Sequence, residues 1–168
     1  MRLTKNFTYD EFLVSRQFPE VLEQIKALLE RRKDKQPMLL ATTLYLLCKT
    51  VLQPVRDFIG TPIEITSGYR NVGLNGRVGG SSTSLHMQGI AADFTIPDLR
   101  VKQEKLMAAY NYIKDNLHAH YGQVILYEDE AGNFINVHVA LPALGKPQFH
   151  QRRTVLKDGN TIVREVNG

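Results

Sequence analysis

The chain has 168 residues, of which 43% are hydrophobic and 23% charged, with one cysteine, no tryptophan and a formal net charge of +4. That length can bury a core without disulfides, and the lone Cys48 excludes an internal one, so the fold needs no oxidising compartment. The mixture is that of an ordinary soluble globular protein, not a disordered or fibrous one. The mild positive charge suits anionic partners such as nucleic acid, membrane or bacterial wall without choosing among them.

The N-terminal stretch MRLTKNFTYDEF lacks the apolar run of a signal peptide. No segment is expected to span a membrane, because Lys49 interrupts the most apolar stretch, LATTLYLLCKTVL. Cys48 lies in that stretch and reads as a buried structural thiol.

Thr8-Tyr-Asp-Glu11 reads as a capping box, with Phe7 and Phe12 placed for a hydrophobic staple, so a short helix starts there. A longer helix runs from about Pro19 to the basic Arg31-Arg32-Lys33, with Phe18, Val21, Leu22, Ile25, Leu28 and Leu29 on its apolar side. The basic end compensates the helix dipole. A second long helix begins near Pro37 and ends before Gly60. Leu40, Leu44, Leu47, Val51, Val55 and Phe58 mark its buried face, and Pro54 is expected to kink it or end it early.

Ile63 to Thr66 alternates like a half-buried strand. The glycine- and serine-rich region Asn71 to Ser84 is too irregular for a strand, with a helical turn near Val72 to Asn75. Ala91 to Ile96 is a strand ended by Pro97. A helix follows over Val101 to Leu117, with Leu106, Ala109, Tyr110 and Ile113 on one side. Gln123 to Tyr127 and Phe134 to Leu141 read as a hairpin, and Asp158-Gly159 predicts a second hairpin with a two-residue turn. Helices first, then strands with one intervening helix, indicate α+β: a small, mostly antiparallel sheet with helices packed on one face.

The polar chemistry concentrates between Thr66 and Asp93. Asp93 follows His86 by seven residues and sits in an alternating strand between Ala92 and Phe94. His138 lies in Ile135-Asn-Val-His-Val-Ala140, where Val137 and Val139 take one face and Asn136, His138 and Ala140 the other. Two imidazoles and one carboxylate make a donor set for catalytic zinc with one position left for water. On spacing alone, a histidine and an aspartate seven residues apart are more often unrelated.

From Ile65 to Leu141 the chain resembles the zinc-dependent D-Ala-D-Ala carboxypeptidase family of peptidoglycan peptidases, which shares its fold with the hedgehog signalling domain. The resemblance rests on Ser67-Gly-Tyr-Arg70, Leu74-Asn-Gly-Arg-Val-Gly-Gly80, Ser84-Leu-His-Met-Gln-Gly-Ile-Ala-Ala-Asp93 and Val137-His138-Val. The third motif is the most specific. The resemblance implies that His86, Asp93 and His138 are the metal ligands and Zn2+ the cofactor. Arg70 would contact substrate and stabilise the oxyanion, with Ser84 and Asn136 as further substrate contacts. Gly89 turns the loop toward the strand, and Tyr69 reads as packing.

The resemblance also implies a glutamate base at the end of the strand before the last histidine, which Glu128 matches and for which Glu130 competes. Glu128 shares a face with His138 only if its cross-strand partner is even-numbered. Pairing with Asn136 over a wide loop from Asp129 to Ile135 satisfies this; a tight turn at Ala131-Gly132 turns Glu128 away. Glu128 over the wide loop is the expected arrangement. His118 and His120, at a helix end, read as surface residues although a His-x-His pair can bind metal. His150 has no evident partner in the sequence.

The expectation is a single domain of 1–168: a helical lead-in (1–60), a catalytic core (61–147) and a C-terminal hairpin tail (148–168). It is a monomeric zinc peptidase cutting peptidoglycan stem or cross-link peptides, as a carboxypeptidase or an endolysin-type endopeptidase. It would be cytoplasmic on synthesis and act at the cell wall, as a phage lysin does, with no nucleic-acid partner and no membrane span. The alternative is a non-catalytic binding or structural module that retains the metal site. Nucleic-acid binding would need only the basic charge, and no recognition motif supports it.

Overall fold

The computed structural model describes residues 1–31 and 36–167. Arg32 and Lys33 of the expected basic helix end lie outside the described residues, as do the side chains of Leu22 and Leu28.

The chain opens with a 3-10 turn, Tyr9–Phe12. The Glu11 carboxylate accepts from both the backbone N–H and the hydroxyl of Thr8. The Phe7 and Phe12 rings stand 6.3 Å apart as the apolar staple. Helix α1 spans Pro19–Arg31 and buries Val21, Ile25 and Leu29, with Phe18 packed against the same core.

Helix α2, Gln36–Leu47, continues through a π-helical turn, Cys48–Leu52, into α3, Gln53–Ile59. Pro54 therefore neither ends nor breaks the helix. A proline removes one N–H and crowds the carbonyl four residues back; the wider π turn just before it relieves that crowding. The extra residue per turn also shifts the buried face. Ile59, at 4% exposure, takes the core position expected for Phe58, which is 56% exposed and stacks on Tyr112 with ring centroids 4.2 Å apart.

The unbroken helix corrects a second expectation. Pro37–Ile59, at 23 residues and mean hydropathy 1.4, is long and apolar enough to cross a membrane by length and composition, Lys49 notwithstanding. Leu40, Leu44, Leu47, Cys48, Val51, Leu52 and Val55 are buried in the protein core, while Met38, Leu39, Tyr45 and Leu46 on the other side are exposed. Burial also pushes the Cys48 thiol pKa up, with a smaller push from Glu11.

Six strands follow: β1 Glu64–Ser67, β2 Ala91–Thr95, β3 Gln123–Glu128, β4 Phe134–Ala140, β5 Phe149–Val155 and β6 Thr161–Asn167. They form one sheet in the order β1-β2-β4-β3-β5-β6. Every neighbouring pair is antiparallel except β3 with β5. Helix α4 is Val72–Arg77 and α5 is Lys102–Asn116. Leu106, Ala109, Tyr110 and Ile113 of α5 join Phe94, Val124, Leu126, Val137 and Val139 of the sheet in one apolar cluster. This is the α+β sheet-and-helix arrangement expected. Alternation then sends Asp93, Ile125, Tyr127, Asn136 and His138 to the opposite face, where a cleft opens.

The C-terminal residues form the expected hairpin, β5 with β6, and add to it a pairing the sequence did not indicate. β5 begins at Phe149 and pairs in parallel with β3, so the strands after Pro147 extend the central sheet. The final turn is also longer than two residues. Leu156 N–H donates to Asn160 O at 2.8 Å, with residues 157–159 between them. Asp158 accepts from the Asn160 N–H and side-chain amide inside that loop, a local bond that favours the three-residue form over a tight two-residue turn.

Candidate metal centre

Asp93 and His138 are directly paired across β2 and β4, so a single row of the sheet presents both side chains to the cleft. His86 reaches them from a 3-10 turn, Leu85–Gln88, that lies over the end of the sheet. Gly89 follows with φ 68, the left-handed conformation that a side chain resists, and turns the chain into β2.

The donor atoms converge. His138 Nδ1 lies 2.8 Å from Asp93 Oδ1, His86 Nε2 lies 3.3 Å from His138 Nδ1, and His86 Nε2 lies 3.4 Å from Asp93 Oδ1. Ligands about 2.0–2.1 Å from a tetrahedral ion stand roughly 3.3 Å from one another, so these three atoms fit one face of such a site. Among the described residues this is the one group of His, Cys, Asp or Glu side chains that converges in this way.

Neighbouring groups set the orientation and protonation of the donors. His86 Nδ1 is 2.7 Å from Gly68 O. A carbonyl only accepts, so Nδ1 donates to it and the ring is held with Nε2 toward the centre. Arg70 donates from Nη2 to Asp93 Oδ2 at 3.1 Å and from Nε to Ser67 Oγ at 2.9 Å. Oδ1 is thereby left to face the histidines. Burial alone would raise the Asp93 carboxyl, but the charge on His86 and hydrogen bonds with both histidines outweigh it and hold it well below the ordinary carboxylate range. Burial pushes the His138 imidazole down, against the pull of Asp93. An ionised carboxylate beside a neutral imidazole is the state a metal ligand set requires.

Gly68 is part of this support. A Cβ at residue 68 would stand 2.2 Å from Phe12 O, the same carbonyl that accepts from the Tyr69 N–H at 2.8 Å. Gly68→Ala therefore forces the turn away from Phe12 and moves the carbonyl that orients His86. We expect a stability loss of about 1–3 kcal/mol and metal affinity weakened by roughly 10- to 100-fold, measured by thermal melting and competition with a chelator. A variant that melts and binds like the parent would remove Gly68 from this role.

The expected pairing of Glu128 with Asn136 is corrected by the strand register. Tyr127 pairs with Asn136, and Glu128 pairs with Phe134 across an irregularity at Ile135. The wide loop does not form. Asp129 N–H donates to Asn133 O at 2.9 Å, and the Asp129 carboxylate accepts from Asn133 N–H at 2.8 Å, which closes the hairpin over residues 130–132. Glu128 consequently points to the helix side of the sheet. There it accepts from Arg152 Nη2 at 2.7 Å and from Thr154 Oγ1 at 3.1 Å, and it is 7% exposed. Glu130, its competitor, accepts from the Lys157 N–H and lines a separate shallow pocket without the metal donors.

The other sequence-derived residues are also placed. Arg70, Ser84 and Asn136 line the cleft, whose volume is about 840 Å³. Arg70 is engaged with a candidate ligand there. Tyr69 is a buried packing residue. His118 and His120 are exposed, and His150 lies on β5 opposite Val124; none joins the donor cluster.

Three residues escaped the sequence reading. Tyr127 occupies the cleft-facing position opposite Asn136, and Arg153 sits opposite Tyr127 on β5. Burial raises the Tyr127 phenol, and Asp93 adds to the rise, while Arg153 and Arg70 pull against it. Buried Asn75 donates to Gly80 O and Ser81 O at 3.2 and 2.9 Å, bracing the loop before His86. The signal for Tyr127 was strand parity, which only the hairpin register resolves.

No curated protein matches the chain. Residues 5–125 match the family described as Peptidase M15, a span that includes Arg70, His86 and Asp93 and stops before His138. With that match over most of its length and its motifs intact, the chain belongs to the peptidase M15 family, the zinc D-Ala-D-Ala carboxypeptidase-like peptidases.

Proposed function

We propose that this protein is a zinc-dependent peptidase that hydrolyses an amide bond in bacterial peptidoglycan stem or cross-link peptides. The observation that carries the reading is the convergence of His86 Nε2, Asp93 Oδ1 and His138 Nδ1 within 2.8–3.4 Å of one another in the cleft of an M15-family chain. Two imidazoles and a carboxylate suit zinc and leave one coordination position open. Zinc, when bound, lowers the pKa of a water ligand toward about 7 and polarises a carbonyl.

The chain's own residues do the rest. Gly68 O and Arg70 hold His86 and Asp93 in ligating orientation. Tyr127, kept protonated by burial, is a hydrogen-bond donor for an oxygen that gains negative charge as an amide is attacked. Ser84 and Asn136, on the cleft wall, offer polar contacts to the peptide. The protein would be made in the cytoplasm and act at the cell wall.

One observation favours a second reading. Among the described residues, Asp93 is the only carboxylate lining the cleft, so no second carboxylate faces the donors to take a proton from water. A binding module that holds zinc and peptide without cutting fits that absence. Metal analysis combined with digestion of purified peptidoglycan decides between them. The peptidase reading expects one zinc per chain and new peptide ends by mass spectrometry, lost on zinc removal and restored by zinc. Zinc bound at full occupancy with no new ends would establish the binding module instead.

A further inference from the structure

We infer that the exposed side of helix α2 docks on the headgroup surface of an anionic lipid bilayer, lying flat on it rather than crossing it. The inference concerns a part of the chain that the cleft does not use, and it stands apart from the peptidase reading.

Helix α2 is buried on one side only. On the other, Met38, Leu39, Thr42, Tyr45, Leu46 and Lys49 are exposed, Met38 by 72% and Leu39 by 59%. Separations of three and four residues keep them on one side of the helix, over a length of about 16 Å at roughly 1.5 Å per residue. The hydroxyls here ask for no outside partner. Thr42 donates to Met38 O at 2.9 Å, and Thr50 donates to Leu46 O at 2.8 Å, so both are spent on the helix backbone. Lys49 holds its ammonium 5.5 Å over the Tyr45 ring. A contiguous apolar strip of this kind on a protein surface marks a contact.

Charge chooses the occupant. From Gln36 to Arg56 the chain has no acidic residue. Just before it, the sequence of residues 31–35 is Arg-Arg-Lys-Asp-Lys, four cations against one acid, and Lys49 stands at the other end of the strip. A second copy answers these charges poorly. A twofold contact with the helices antiparallel brings Lys49 of one copy to the basic segment of the other, and with the helices parallel each cation meets its own equivalent. Anionic headgroups supply counter-charge at both ends of the strip, while Met38, Leu39, Tyr45 and Leu46 enter the acyl boundary. The Tyr45 ring and the long Lys49 stem suit that boundary, each with an apolar body and a polar tip.

Packing sets the orientation. Leu40, Leu44 and Leu47 are fully buried in the protein core, so the helix cannot enter a bilayer end-on without exposing them. The same inner side backs the turn that carries His86: a Cβ at residue 89 would stand 2.2 Å from Leu40 Cδ1 and 3.1 Å from Thr43 Oγ1. No residue of α2, the π turn or α3 lines the cleft. A chain docked through the strip therefore keeps its cleft open.

The test uses the zinc-loaded full chain and sucrose-loaded vesicles of two compositions, phosphatidylcholine alone and phosphatidylcholine with about one third phosphatidylglycerol. Sedimentation of the vesicles measures the partition of the protein. We expect partition at least about 10-fold stronger on the anionic vesicles, weakening as salt is raised. Leu39→Glu with Leu46→Glu should lower it by at least about 10-fold. Circular dichroism, Tm and zinc content should stay as in the parent, because both positions are exposed. The chain has no tryptophan, so Tyr45→Trp places the only indole on the strip. Its emission should shift to the blue on anionic vesicles and be quenched by phospholipids brominated near the headgroup. Equal partition on the two compositions, no partition on either, full partition retained in the double glutamate variant, or unshifted emission from Tyr45→Trp would each overturn the inference. A dimer that the double variant dissociates, without vesicle binding by the parent, would assign the strip to a second copy instead. The comparison of the two vesicles needs no variant and so stands even if a variant fails to fold.

Discussion

His138→Ala is expected to abolish stoichiometric zinc binding and, with it, any hydrolysis. A four-ligand zinc site is worth about 10–16 kcal/mol. An even share per ligand makes the loss of one roughly two to three orders of magnitude in affinity. The substitution removes a donor that stands 2.8 Å from Asp93 Oδ1 and 3.3 Å from His86 Nε2. His86→Ala should behave alike. Arg70→Lys should be milder, about 10- to 100-fold, because it disturbs the orientation of Asp93 and removes no donor. Equilibrium dialysis against a zinc buffer, with circular dichroism to verify folding, reads all three. Parent-like zinc affinity in a folded His138→Ala protein would mean that the three donors do not share an ion.

Glu128→Gln is expected to destabilise the protein while leaving the metal centre intact. Removing one partner of a fully buried ion pair costs about 3–5 kcal/mol. Arg152 retains 27% exposure and solvent screens it, so about 2 kcal/mol is the better figure here. For a chain of this size that corresponds to a fall in Tm of roughly 4–8 °C. Zinc content should be unchanged and hydrolysis reduced by less than about threefold, because the side chain lies on the helix face with Arg152 and Thr154. The sequence reading, with Glu128 as base, expects lost hydrolysis with zinc still bound. A loss of hydrolysis at parent-like Tm would place Glu128 in the cleft after all and reverse the register argument.

These two variants divide what was legible in the sequence from what was not. The candidate ligands His86 and Asp93 were legible through the resemblance of the motif from Ser84 to Asp93, in which a turn, a glycine at positive φ and a strand set their relation within ten residues. The capping box at Thr8 and the buried faces of α1 and α5 were legible because they are local and a helix has a fixed period. His138 was legible through alternation, because the valines beside it fix which face it takes. Glu128 was misread because its facing depends on one residue of hairpin register. That register was settled by the Asp129–Asn133 hydrogen bonds and the irregularity at Ile135.

The remaining differences have the same origin. Phe58 was misplaced because the π turn before Pro54 advances the helix face by one position. The parallel pairing of β5 with β3, which carries Arg153 into the cleft, joins segments some 26 residues apart and leaves no periodic trace in either. Local patterning thus indicated the α+β class and the core helices, and the family resemblance supplied the three candidate ligands. The tertiary structure alone decided which side chain accompanies them, because the facing of a strand residue is set by its hydrogen-bonded partners and reverses with a shift of one residue.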